Sequence, residues 1–133
     1  MKEDFVSYDI VVKLKEKGFN EQCLAYYTKD LDFYYNTSYG SDVESAFKSF
    51  NSRPNHICGK RIDAPIISQV LKWLREKKNI EVVASFSYGN KVWGYQVGDM
   101  TLLEDSILAY EYSFPTYEEA ALAGIQYVID NLI

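Results

Sequence analysis

Residues 80–97 read IEVVASFSYGNKVWGYQV. Ile80, Val82, Ala84, Phe86 and Tyr88 alternate with Glu81, Val83, Ser85 and Ser87. That period of two sends successive side chains to opposite faces of a strand. Gly89-Asn90 is a tight-turn dipeptide, and Val92 to Val97 returns with Trp93, Tyr95 and Val97 on one face. A hairpin of this kind commits this part of the chain to an antiparallel sheet. Gly98-Asp99 ends it, Leu102-Leu103 reads neither way, and Ile107 to Phe114 reads as a further strand.

Helices flank the hairpin. Asp63-Ala64-Pro65 reads as a helix opening, because proline suits the first helical position, where its missing N–H costs nothing. Ile66, Ile67, Val70, Leu71, Trp73 and Leu74 then form a broad apolar face. Lys72, Arg75, Glu76, Lys77 and Lys78 supply the wet side and a cationic last turn that complements the helix dipole. Downstream, Thr116-Tyr117-Glu118-Glu119 is a capping box leading into Ala121, Leu122, Ile125, Val128, Ile129 and Leu132, a helix expected to dock on the sheet.

The first quarter of the chain repeats the pattern of helix then hairpin. Ser7 reads as an N-cap, with Val6 and Val11 as a hydrophobic staple and Ile10, Val11 and Leu14 on one face. Gly18 fits a left-handed stop, and Phe19 can fold back on the last turn. Gln22 to Thr28 and Leu31 to Tyr39 are tyrosine-rich, strand-like runs around a Lys29-Asp30 break. Val43 to Phe50 carries one or two turns of helical spacing, and Asn51 to Lys60, with Pro54 and Gly59, reads as loop.

The expected order is α-β-β-loop-α-β-β-β-α. It describes one α+β domain over residues 1–133: an antiparallel sheet of four to five strands, helices mainly on one face, and a variable loop at 41–62. The two α-β-β halves share an order of elements without a residue-by-residue repeat. At 133 residues and 47% hydrophobic content, the chain can bury a core without metal or disulfide staples.

Three segments carry a family likeness. The first is Lys2-Glu3-Asp4-Phe5-Val6-Ser7-Tyr8 with Leu14-Lys15-Glu16-Lys17-Gly18-Phe19. The second is Ala64-Pro65 with Ser68-Gln69-Val70-Leu71-Lys72-Trp73-Leu74-Arg75-Glu76. The third runs from Tyr117-Glu118-Glu119-Ala120-Ala121-Leu122-Ala123-Gly124-Ile125 through Tyr127-Val128 to Asp130-Asn131-Leu132-Ile133. Together they resemble a family of small proteins of Bacteroides and related gut bacteria, whose genes often lie near phage or other mobile-element genes. The resemblance weakens across 40–62. It implies an origin, and no activity, cofactor or catalytic residue.

Several chemistries are tested by spacing. A phosphate loop ending in Gly59-Lys60 needs glycine at position 54, which is proline. Neither GxGxxG nor GxSxG occurs. His56 and Cys58 stand two apart, yet a zinc site needs further ligands and the chain has one histidine. As a base–nucleophile pair they are poorly preorganised in a loop. They read as an exposed histidine and a half-buried thiol, and Cys23 likewise as a free thiol. Glu118-Glu119 belongs to the cap, and Glu104-Asp105 to a solvated turn. No catalytic residue, metal or cofactor is expected.

Tyrosine is the compositional oddity: twelve occur, and Tyr26, Tyr27, Tyr34, Tyr35 and Tyr39 cluster in the first hairpin. Adjacent pairs should split between the sheet faces, one ring in the core and one in water. Exposed tyrosines offer rigid contact area with a polar tip. Charge is uneven as well. Residues 60–78 carry six basic and two acidic residues, whereas residues 99–133 carry seven acidic and no basic ones. A net charge of −5 argues against nucleic acid and anionic membrane as partners.

No apolar run approaches the ~18 residues of a membrane span. The start, Met1-Lys2-Glu3-Asp4-Phe5, lacks the apolar stretch of a secretory signal, so a cytoplasmic protein is expected. Asn36-Thr37-Ser38 is then a chance glycosylation match. The expectation is a non-enzymatic protein-interaction module that binds a protein partner through the tyrosine-rich hairpin, with Tyr27, Tyr34, Tyr35 and Tyr39, and the 41–62 loop, while the oppositely charged halves offer self-association between copies. The alternative is a binder of a small anionic, nucleotide-like ligand, held by aromatic rings with Lys60, Arg61 and Lys72.

Overall fold

The computed structural model describes residues 4–28, 31–35 and 61–133. The chain divides into two compact units, Met1–Ile66 and Ile67–Ile133. Both combine helix with antiparallel sheet, so the α+β class holds. The strands do not form one sheet of four to five, however. Among the described residues they form two separate sheets of three.

The first unit holds α1 (Tyr8–Glu16), β1 (Ala25–Thr28), β2 (Phe33–Tyr35) and β3 (Arg61–Ala64), in strand order β2-β1-β3. Helix α1 buries Ile10, Val11 and Leu14, as their spacing requires. Ser7 takes the N-cap position in extended conformation, but its side chain makes no capping bond. The staple is in place, with Val6 and Val11 both fully buried. Gly18 adopts φ +98° and ends the helix, and the Phe19 N–H donates to the Leu14 carbonyl at 3.0 Å. Only a residue without Cβ takes that conformation at no steric cost.

Strand β3 is the main departure from expectation. Arg61–Ala64 pairs antiparallel with β1, Ala25 facing Ala64 and Thr28 facing Arg61. Asp63 and Ala64 therefore belong to a strand and do not open the helix, which starts at Ile67. Pro65 supplies the reason: its ring crowds the preceding residue out of the helical region and keeps Ala64 extended. The Pro65 carbonyl accepts from the Val6 N–H at 2.9 Å, and Phe5 forms an antiparallel bridge with Ile66. The segments expected at Val43–Phe50 and Asn51–Lys60 lie outside the described residues.

The second unit holds α2 (Ile67–Lys78), β4 (Ile80–Ser87), β5 (Val92–Asp99), β6 (Ile107–Phe114) and α3 (Tyr117–Asn131), with the strands as a meander β4-β5-β6. The hairpin register pairs Val82 with Val97, Ala84 with Tyr95 and Phe86 with Trp93. The turn is longer than a two-residue one. Four residues, Tyr88 to Lys91, separate the strands, Lys91 takes φ +58°, and its N–H donates to the Ser87 carbonyl at 2.7 Å. Tyr88 thus leaves the strand pattern for the exposed loop. The two units are not topological repeats among the described residues: the central strand is the first of its sheet in one and the second in the other.

Helix α2 buries Ile67, Val70, Leu71, Trp73 and Leu74. Helix α3 begins at a Thr116 cap, whose Oγ1 accepts from the Glu119 N–H at 3.1 Å. It buries Ala120, Ala121, Gly124, Ile125, Val128 and Ile129, and it packs chiefly on β4 and β5. Gly124 sets the closest approach. A Cβ there would lie 2.6 Å from Val82 Cγ1 and 3.1 Å from the Tyr95 ring.

Gly124→Ala should therefore destabilise, although alanine is the better helix former by about 1 kcal/mol. Overpacking of this kind costs about 1–3 kcal/mol. Gly89, whose Cβ would meet nothing within 4 Å, is the control: Gly89→Ala should stay within about 0.5 kcal/mol. Urea unfolding of the two variants checks both, and a stabilised Gly124→Ala would contradict the packing described.

Candidate functional site

The tyrosine hairpin divides by sheet face. On one face stand Tyr27, Phe33 and Tyr35, with Phe33 opposite Tyr27 in the register. Phe5 packs edge-on against Phe33 and Tyr35, at centroid distances of 5.2 and 5.6 Å. Tyr8 meets Tyr27 edge-on at 5.6 Å. The Tyr27 hydroxyl donates to the Val6 carbonyl at 2.9 Å, across 21 residues of sequence. On the other face Tyr26 and Tyr34 are cross-strand partners, their rings stacked at 5.6 Å.

The proposed contact residues therefore separate. Tyr27 is 6% exposed. It is a core residue whose ring and hydroxyl are both engaged inside the unit, and it offers no surface to a partner. Its phenol is pushed up from its ordinary range by burial. Tyr34 and Tyr35 are 47% and 39% exposed. This pair does not split into one core and one wet ring: both stay partly in water on β2, which among the described residues lies at the edge of its sheet. Arg61 is the first residue of β3, its backbone paired with Thr28. Tyr39 and Lys60 lie outside the described residues, as do His56 and Cys58.

Cys23 is fully buried and free. Its Sγ donates to the Glu21 carbonyl at 3.3 Å. Burial first, and then the charge of Asp63, push the thiol far above its ordinary range, with Lys15 acting weakly in the other direction. Burial and the Asp63 charge both disfavour the thiolate, the form that attacks as a nucleophile and binds metal. Lys15 itself places Nζ 5.5 Å from the centre of the Phe19 ring. Among the described residues no three His, Cys, Asp or Glu side chains converge as a metal-ligand group. No described helix is long and apolar enough to cross a membrane.

A second surface, not singled out by sequence reasoning, lies on the β4-β5-β6 sheet. Gly124 of α3 touches Val82 and Tyr95, so these mark the covered face. Val83, Gln96 and Tyr110 form one cross-strand row on the opposite face, and Ser85, Gly94 and Tyr112 form the next. The Tyr112 ring lies over Gly94, where any Cβ would collide with it and with the Glu111 carbonyl. It reaches across the central strand, and its hydroxyl and Ser85 Oγ share a hydrogen bond at 3.3 Å. Tyr110 is 72% exposed and Val83 45%. The signal was present in the alternation of Tyr110 and Tyr112 with Glu111, but only the register shows which alternate set lies on the face away from α3.

Comparison with protein-family models, curated proteins and solved structures finds no match for the chain.

Two expectations follow from the buried groups. Tyr27→Phe should lose about 1 kcal/mol, the worth of one hydrogen bond. Tyr27→Ala should lose about 3 kcal/mol or more, whereas Tyr34→Ala should stay within about 1 kcal/mol. Denaturant unfolding separates the three. The Cys23 and Tyr27 ionisations are both raised in the folded chain, so the stability they carry is present below their unfolded values and lost as pH rises above them. Unfolding free energy should fall from the ordinary thiol range upward, Cys23→Ala should flatten the first part of that fall, and native Cys23 should resist a disulfide reagent at pH 8.

Proposed function

We propose that the protein is a non-enzymatic interaction module, and that Tyr34 and Tyr35 on the edge strand β2 are the centre of its contact surface in the first unit. The observation that carries this reading is that both rings are half in water and yet held in place. Tyr34 stacks on Tyr26, and Tyr35 packs edge-on against Phe5 and Phe33 at 5.6 and 5.1 Å. A tyrosine ordered before binding loses little side-chain entropy on contact and offers a large apolar area with a hydroxyl at its tip. Fully buried aromatic clusters do not need such rings at an edge.

The family resemblance of the two termini and of α2 suggests a setting among mobile-element genes, and hence a host or phage protein as partner. The negative net charge of −5 favours a protein partner over nucleic acid.

The test compares the wild-type chain with the double variant Tyr34→Ala/Tyr35→Ala, Tyr27 being left intact. Tagged copies are exposed to lysate of the source organism, and retained proteins and extracted small molecules are identified by mass spectrometry. The expected result is a stoichiometric protein retained by the wild type and lost by a double variant that still unfolds cooperatively. Equal retention by the folded double variant would refute this surface. Retention of a small anion without a protein would favour the ligand-binding alternative.

A further inference from the structure

We propose that the outer edge of β6 is a strand-addition site for an extended, basic segment of a partner protein, with Glu111 selecting Lys or Arg at the position facing it. This rests on the second unit and is independent of the β2 tyrosines. In the order β4-β5-β6, strand β6 is hydrogen-bonded on one side to β5, and among the described residues no strand pairs with its other side. It runs eight residues, ILAYEYSF, rich in types that favour strands and without proline or lysine. An edge of that length leaves a row of backbone donors and acceptors able to pair with an incoming strand.

The bulges define where such a strand can sit. Trp93 pairs with Phe114 but Gly94 with Tyr112, which makes Ser113 an extra residue; Val97 pairs with Ala109 but Gly98 with Ile107, which makes Leu108 another. Regular pairing is left to Ala109–Tyr112, the stretch between the two. Within it Tyr110 and Tyr112 face the open side, and Glu111 faces the helix side opposite Tyr95. Glu111 is exposed, and its Oε2 accepts from Ser113 Oγ at 2.6 Å.

Charge then chooses the occupant. Residues 99–133 hold seven acidic and no basic side chains. A second copy of β6 would bring a second Glu111 to the same edge, and like charges across paired strands destabilise. A strand with Lys or Arg opposite Glu111 gains where the copy loses. Its neighbours on either side point to the open face, beside Tyr110 and Tyr112, and extend the row of Val83, Gln96 and Tyr110. The recognised pattern is an apolar residue, Lys or Arg, and a second apolar residue in extended conformation.

A library of random ten-residue peptides, displayed on phage and selected on the immobilised full chain, reads this directly. Enriched peptides should carry Lys or Arg flanked by apolar or aromatic residues. On binding the synthetic form of an enriched peptide, amide exchange should slow within Ile107–Phe114. Glu111→Lys should weaken that peptide about tenfold or more, whereas Glu104→Lys, an equal change of net charge in a turn, should weaken it no more than about threefold. Absence of enrichment, enrichment without basic residues, protection confined to other segments, equal effects of the two lysine variants, or a dimer of the free chain joined through β6 would each overturn the proposal.

Discussion

A three-stranded sheet has one central strand and two edges, and that constraint governs what each unit of this protein can bury and what it must expose. Buried side chains come from Ala25 and Tyr27 on β1, Asp63 and Ala64 on β3, Ile80 and Val82 on β4, and Tyr95 and Val97 on β5. Strands β2 and β6 carry the exposed rings of Tyr34, Tyr35 and Tyr110, and Tyr88 is exposed in the β4–β5 turn. Helix α3 covers one face of the second sheet through the close approach at Gly124, and the same packing consigns Val83, Tyr110 and Tyr112 to the other face. Among the described residues, Tyr34, Tyr35 and Tyr110 lie on strands that pair on one side alone.

The tyrosines show how one residue type is put to different uses by its position. Tyr27 faces inward on a central strand, where an unmatched hydroxyl would be costly, and it reaches the Val6 carbonyl to satisfy itself. Tyr112 lies flat along the sheet because Gly94 leaves room beneath it, and its hydroxyl meets Ser85 on the far strand. Tyr34 and Tyr110 stand on edges and keep their outer surfaces wet. A count of tyrosines cannot separate these roles, and only the last kind suits recognition of a partner.

Much of the fold was legible locally. The stop at Gly18, the staple of Val6 and Val11, the threonine cap of α3 and the inward set of the 80–97 hairpin all follow from residues a few positions apart. What local reading missed was long-range. Arg61–Ala64 is too short and too polar to announce a strand, and its pairing with β1, more than thirty residues away in sequence, completes the separate first sheet. Pro65 carried the clue, since it forbids helix at Ala64, but the same proline also fits a helix start. Among candidate site residues, the sequence did not separate the faces of the hairpin: Tyr27 belongs to the core, and Tyr34 and Tyr35 are exposed. The β6 edge was missed because strand order within a sheet is not written in local periodicity.

Among the described residues the outer edge of β6 pairs with no other strand, and the proposal that it receives a partner requires that edge to be open in the free chain. Hydrogen exchange of individual backbone amides, followed by NMR on the free full-length chain, tests this most directly. The account predicts slow exchange throughout β1 and β5, and along β6 an alternation in which the amides turned away from β5 exchange fast. Uniformly slow exchange along β6 would mean that its edge is already paired, and would contradict the claim.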